Sequence, residues 1–341
     1  NRDGTGMRGM AYDAILYSYK ADNNGDPTLE GLTGANLPLI FDQHVSDGIK
    51  VSNNSWGDAT IVTSVSESTM RTNRPNFITS LSNFKASGGI VVFAAGNSNL
   101  SSPTSYPAMP YRITELKGNW LVVVSLNHNL KEASSYTNQC GVAADFCVAA
   151  IGGETSTTGG VYAANTNTTN GYIRKQGTSM AAPHVSGLAA ALVEKFPSLT
   201  NTQIVTRITS TAGYTGLEAN NGCTEDTCTA AQMEAIFGHG LINGALASSS
   251  IGSYTYPKNT NLNKGYHDLG LSMLSLPSGI SNSTLKKIMR EDFAVFDSFD
   301  GARFFIKGSK VFKRSNNSNS PRSISKQSLK QNKQISNLNY F

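Results

Sequence analysis

Along the first two-thirds of the chain, apolar residues cluster with two different periods. Residues 14–20 read Ala-Ile-Leu-Tyr-Ser-Tyr-Lys, a short β-branched and aromatic run that predicts a buried strand. Helical spacing comes next at about 35–45, then a strand at 49–53, a helix at 75–86, and strands at 90–93 and 120–125. A long helix is predicted from Met180 to about Glu194, ending before Pro197. Its successor opens on a capping box, Thr200 with Gln203, and carries Ile204, Val205 and Ile208 on one face. Strands alternating with amphipathic helices indicate an α/β fold, a largely parallel sheet with helices on both faces. Ligands in such sheets collect beyond the carboxyl ends of the strands.

The alternation fades after residues 237–243. The sequence therefore predicts a main domain over 1–247, a Ser/Tyr/Asn/Pro linker at 248–260 and a C-terminal extension at 261–312 with apolar clusters at 269–276 and 304–306. Residues 313–341, mostly Asn, Ser, Lys and Gln, are too poor in apolar groups to repay ordering entropy and read as a disordered tail.

Charge changes this picture little. The chain of 341 residues carries a net +5, but nine of its 28 Lys and Arg fall in residues 302–341, which hold no acid, leaving 19 basic against 23 acidic residues before them. The basic character belongs to the tail, so no nucleic-acid partner is read from it. No apolar run approaches the roughly 20 residues of a membrane helix, so any membrane attachment would run through a region outside this sequence. The four cysteines form two close pairs, Cys140 with Cys147 and Cys223 with Cys228, without the spacing or histidines of a zinc site. Local disulfides in an exported protein are the natural reading, buried free thiols the alternative.

The segment with chemistry is Gly177-Thr178-Ser179-Met180-Ala181-Ala182-Pro183-His184-Val185-Ser186-Gly187. A serine at a helix start is exposed and polarised, Gly177 allows close backbone approach, and Pro183 is expected in the first turn, where its missing N–H costs nothing. A plain capped helix would look the same. These eleven residues, however, resemble the serine motif of the subtilase family, which includes subtilisin. Residues 89–97, Gly-Ile-Val-Val-Phe-Ala-Ala-Gly-Asn, are similar to that family's strand ending in its oxyanion asparagine; Ser55-Trp56-Gly57 resembles the segment along which substrate pairs, and 238–243 the close of the domain.

The resemblance implies a serine endopeptidase acting on proteins or peptides, secreted or at a cell surface, with no cofactor required. Ser179 would be the nucleophile, with the Asn97 side chain and the Ser179 backbone N–H as oxyanion donors. Ser55, Trp56 and Gly57 would form one substrate edge and Ala94, Ala95 and Gly96 the other, with Thr178 beside the nucleophile. Trp56 replaces the aliphatic residue common in the family, so it either alters a pocket far from the scissile bond or packs into the core. The family often binds calcium at the loop corresponding to residues 1–6, where Asp3 would offer one oxygen and a solvated turn is the alternative. In some bacterial subtilases the protease domain precedes a stalk and a membrane barrel, and residues 261–312 would suit the start of such a stalk.

The family's order is aspartate, histidine, serine. Residues 4–12 resemble the stretch just after its catalytic histidine, which places that histidine and the aspartate upstream of Asn1 and makes the chain read as N-terminally incomplete. His184 lies five residues after Ser179 on one helix, about 140° around the axis and roughly 7.5 Å along it. His44, His128, His239 and His267 match no catalytic motif. Loss of the base costs on the order of 10⁶ in turnover in subtilisin itself, so the chain alone is expected to be nearly inert. The alternative is a protease remnant or binding module that keeps the fold without the activity.

Overall fold

The computed structural model describes residues 9–19, 37–155, 159–165, 171–219, 222–257, 266–269, 273–277 and 279–314. It divides into two compact units, Asn1–Gly244 and Ala245–Phe341.

In the first unit, four parallel strands, β1 (Val51–Asn54), β2 (Ile90–Ala94), β3 (Trp120–Leu126) and β4 (Cys147–Ile151), lie in sheet order β1-β2-β3-β4. Strands β2 and β3 are buried along their whole length, as a sheet covered on both faces requires. Helices α1 (Leu37–Ser46), α2 (Glu67–Asn73), α3 (Pro75–Ala86) and α4 (Met109–Arg112) precede α5 (Thr178–Lys195), α6 (Asn201–Thr211) and α7 (Ala230–Phe237). Phe41 of α1, Phe77, Leu81 and Phe84 of α3, and Phe237 of α7 share one cluster with Val91, Phe93, Trp120 and Val122. Val92 and Val123 alternate to the opposite face, where α5 crosses all four strands. The capping box of α6 forms as expected, and a second one, Thr229 with Gln232, opens α7. Cys140 pairs with Cys147 and Cys223 with Cys228.

Three readings of the sequence are corrected. Residues 14–19 form no strand: Ile15 and Leu16 are 84% and 90% exposed, and β1 ends the sheet without pairing to them. A strand depends on a hydrogen-bonded neighbour, which local sequence cannot supply. The sequence indicates no element between the strand at 120–125 and the helix from Met180, yet that interval contains a hairpin, β5 (Val161–Ala164) with β6 (Tyr172–Lys175), whose Tyr162 and Tyr172 rings stack at 5.0 Å. Finally, Tyr254–Pro257, read as linker, is a strand of the second unit.

That unit carries an antiparallel sheet of β7 (Tyr254–Pro257), β8 (Tyr266–Asp268), β10 (Asp292–Asp297) and β11 (Arg303–Lys307), in the order β11-β10-β7-β8. A parallel pair, β9 (Leu274–Leu276) with β12 (Phe312–Arg314), completes it. Helices α9 (Asn282–Arg290) and α10 (Gly308–Val311) come after a short helix at the boundary, α8 (Gly244–Ala247). Leu276, Phe293, Val295, Val311 and Phe312 form a separate core. The tail read as disordered lies, from residue 315 on, outside the described residues, as do Asp3 and the rest of residues 1–8.

Candidate active site

Strands β1 and β2 run parallel with Asn54 beside Phe93, so the residues just beyond each, 55–57 and 95–97, emerge together at the carboxyl end of the sheet. The N-terminus of α5 meets them there. Its N-cap is Gly177, at φ +142°, a conformation that a side chain would strain. With no side-chain cap from Gly177, the first N–H groups of α5 need other partners.

Asn97 supplies one. Its Oδ1 accepts from the Thr178 backbone N–H and from Thr178 Oγ1, both at 2.9 Å, while the Gly96 N–H donates to the same hydroxyl at 3.2 Å. Because Oδ1 faces two donors, the amide is fixed and Nδ2 must point the other way. An ideal Cβ on Gly177 would lie 3.6 Å from Asn97 Nδ2 and 3.6 Å from the Ser179 backbone N. Both donors, with Met180 Sδ at the same 3.6 Å, therefore border the space over Gly177. Asn97 itself is exposed and Ser179 half-buried, as groups that meet an incoming substrate must be.

Ser179 is the second residue of α5, and Pro183 is the sixth rather than a first-turn residue. At that position a proline removes the N–H that would have bonded to the carbonyl four residues back, which is that of Ser179. Ser55 Oγ takes over, donating to Ser179 O at 2.9 Å, while Ser179 Oγ donates to Ser55 O at 3.3 Å. Ser55 Oγ in turn accepts from Asn53 Nδ2 at 3.0 Å, and Asn53 Oδ1 accepts from Ser186 Oγ at 2.9 Å. The orphan carbonyl left by Pro183 is thus tied, through β1, back to the next turns of α5.

Trp56 packs into the core: its ring meets Phe93 at 4.9 Å and Tyr106 at 5.3 Å, and Nε1 donates to Asn54 Oδ1 at 3.1 Å. It stays half-buried. Ala94 and Ala95 are buried at the end of β2, and Gly96 takes φ +110°.

The described histidine side chains are engaged elsewhere. His184 Nδ1 lies 2.9 Å from Met180 O, and burial holds its pKa below the ordinary value. His239 Nε2 is 3.2 Å from Asp145 O, and His44 sits among Tyr19, Phe41 and Phe84. His128 lies against Gly159, and the His267 side chain is outside the described set. Among the described residues, no three His, Cys, Asp or Glu gather as metal ligands, and no helix is long and apolar enough to cross a membrane.

Sequence comparison agrees with this geometry. A model of the subtilase family matches residues 1–240. An extracellular serine protease of Serratia marcescens is 27% identical over 294 residues, covering 71% of this chain and 26% of its own length. Subtilisin E of Bacillus subtilis is 28% identical over 212 residues, 62% of this chain and 47% of that protein. Among solved structures, the prenylagaramide maturation protease PagA aligns with a TM-score of 0.49 at 19% identity, over 66% of this chain and 70% of that one. The chain spans less than half the length of both curated relatives. The chain belongs to the subtilase family of serine proteases.

Proposed function

We propose that this chain carries the nucleophile and oxyanion half of a serine endopeptidase that acts on proteins or peptides outside the cytoplasm. The observation that carries the reading is the convergence of Asn97 Nδ2 and the Ser179 N–H on the space over Gly177, beside Ser179. Ser179 Oγ would attack the scissile carbonyl as its proton passes to a base, and the carbonyl oxygen, now negative, would enter that space and accept from both donors. Collapse of the intermediate would expel the amine, protonated by the same base, and water would then release the acyl group. Residues 55–57 and 94–96, with Thr178 behind the nucleophile, would pair with the extended substrate on either side.

The base and its orienting carboxylate would come from sequence preceding Asn1. The engagement of His44, His184 and His239 elsewhere supports this, since none offers Ser179 a ring nitrogen. The same observation favours a second reading, a module that keeps the fold without turnover. Hydrolysis of an unfolded protein substrate by the intact protein separates the two. The endopeptidase reading expects cleavage that disappears in Ser179→Ala with an unchanged melting temperature; the second expects none in either protein. The two disulfides and the extracellular relative suit an extracytoplasmic location, and protease detected only in the cytoplasm of the source cell would contradict it. A structural calcium at residues 1–6 would show as a melting temperature lowered by chelator.

A further inference from the structure

The loop that carries Asn97 has no helix or strand of its own, and residues 97–99 face outward. Two of its residues, Gly96 at φ +110° and Asn99 at φ +50°, take positive φ, a conformation that persists only where the surroundings fix it. The segment 136–139 fixes it. The Asn99 N–H donates to Tyr136 O at 2.8 Å, the Asn138 N–H to Gly96 O at 2.9 Å and the Gln139 N–H to Leu100 O at 2.8 Å. At the centre lies the Asn138 side chain, in a residue 0% exposed. Its Oδ1 accepts from the Ser98 and Leu100 N–H groups, both at 3.0 Å, and its Nδ2 donates to Ala95 O at 3.0 Å. Two donors on one side and a carbonyl on the other leave one orientation for the amide. The same Nδ2 occupies the place that a Cβ on Gly96 would need. This clamp is anchored in the sheet: Thr137 Oγ1 accepts from the Ser125 N–H of β3 at 3.0 Å, and Cys140 is bonded to Cys147 of β4.

We propose that Asn138 is the positioning residue of the oxyanion donor: by holding the backbone on both sides of Asn97, it sets where Asn97 Nδ2 points. The proposal rests on the oxyanion role given to Asn97 above. Thr178 fixes the end of the Asn97 side chain, through the two bonds to its Oδ1. Asn138 fixes the root, since residues 95 and 96 before Asn97 and 98 and 100 after it are all bonded to this one residue. A preorganised donor is effective because it is already aimed when charge develops and needs no reorganisation then. Without the clamp, the Ser98 and Leu100 N–H groups would bond to water, and the Asn97 amide would have to be ordered during the reaction. Asn138 is fully enclosed and touches no substrate. Its loss is therefore read in turnover and not in substrate binding.

Kinetics and hydrogen exchange on the intact protein test this together. In Asn138→Ala, kcat on a chromogenic peptide is expected to fall about tenfold, the scale of one net hydrogen bond, with KM unchanged. In the Asn97→Ala background the same substitution should cost less than about twofold, because no donor is left to aim. An equal loss in both backgrounds, as a merely structural role would give, or a change confined to KM would overturn the proposal. Asn138→Asp covers the case in which the alanine variant fails to fold. It keeps the acceptor for Ser98 and Leu100, loses the donor to Ala95, and should show the same non-additivity. By hydrogen-exchange mass spectrometry, the Ser98 and Leu100 amides should be protected in the unmodified protein and exchange about tenfold faster in Asn138→Ala, while peptides from β3 keep their rates. Unprotected amides, or protection unchanged in the variant, would overturn the proposal whether or not the protein turns over. This exchange pattern without any hydrolysis would sink the endopeptidase reading and leave the clamp standing, and hydrolysis with additive losses would sink the clamp alone.

Discussion

Asn97 shows how a role is assigned by partners distant in sequence. Alone it is a polar residue after a strand; the two bonds its Oδ1 takes from Thr178 turn Nδ2 toward the space over Gly177. Asn97→Ala in the intact protein is expected to lower kcat about 10²–10³-fold with little change in KM, the cost measured for the same donor in subtilisin. Steady-state kinetics with a chromogenic peptide checks it, and a change confined to KM would contradict the oxyanion role. The residue types at Ser179, Asn97 and Gly177 were legible in the sequence. The orientation of the amide was not, because it depends on Thr178, 81 positions from Asn97.

His44 sets a second expectation at this scale. It is 5% exposed, its Nδ1 has no hydrogen-bond partner among the described residues, and three aromatic rings surround it. Burial pushes its pKa from 6.5 down to about 4, against a smaller upward pull from Asp47, whose carboxylate is also held by Tyr19 and Gln43. The unfolded chain therefore binds this proton before the folded one. Its contribution to stability is complete above pH 6.5, is lost as pH falls toward 4, and changes no further below that; the loss is about 3 kcal/mol. In His44→Phe the fall in melting temperature between pH 6.5 and 4.5 should shrink. An identical pH profile would refute the assignment.

Among elements, the junction of β1 with α5 has a cause written in the sequence but hidden by a small error of position. Pro183 looks harmless if the helix begins late; with α5 beginning at Thr178, it strips Ser179 O of its helical donor, and Ser55 fills the gap. Ser55→Ala should leave that carbonyl unpaired and reduce kcat/KM about tenfold, while Pro183→Ala restores an N–H at the right place. The double variant is therefore expected to recover most of the loss, and strictly additive losses in the double-mutant cycle would contradict the exchange of donors. Helix α3 was legible to the residue, since Pro75 at its first position and the spacing of Phe77, Leu81 and Phe84 are local signals. Strand β7 and the β5–β6 hairpin were not, because Ser-, Thr- and Asn-rich segments become strands only when a neighbour pairs with them.

For the whole molecule, the α/β class and the parallel sheet were readable from alternating periods, because four strands covered by helices leave a strong apolar signature. The segment at 14–19 failed for the complementary reason: Tyr19 packs against His44, but Ile15, Leu16 and Tyr17 stay exposed, so no sheet or helix of the described structure covers them. The central claim is that Ser179 is a nucleophile served by groups that the intact protein supplies around it. The direct measurement is to treat the intact protein with a serine-reactive fluorophosphonate and map the tagged residue by peptide mass spectrometry. The account expects the tag on Ser179 and its near-absence in Asn97→Ala at equal exposure. An intact, folded protein in which Ser179 stays unlabelled would contradict it.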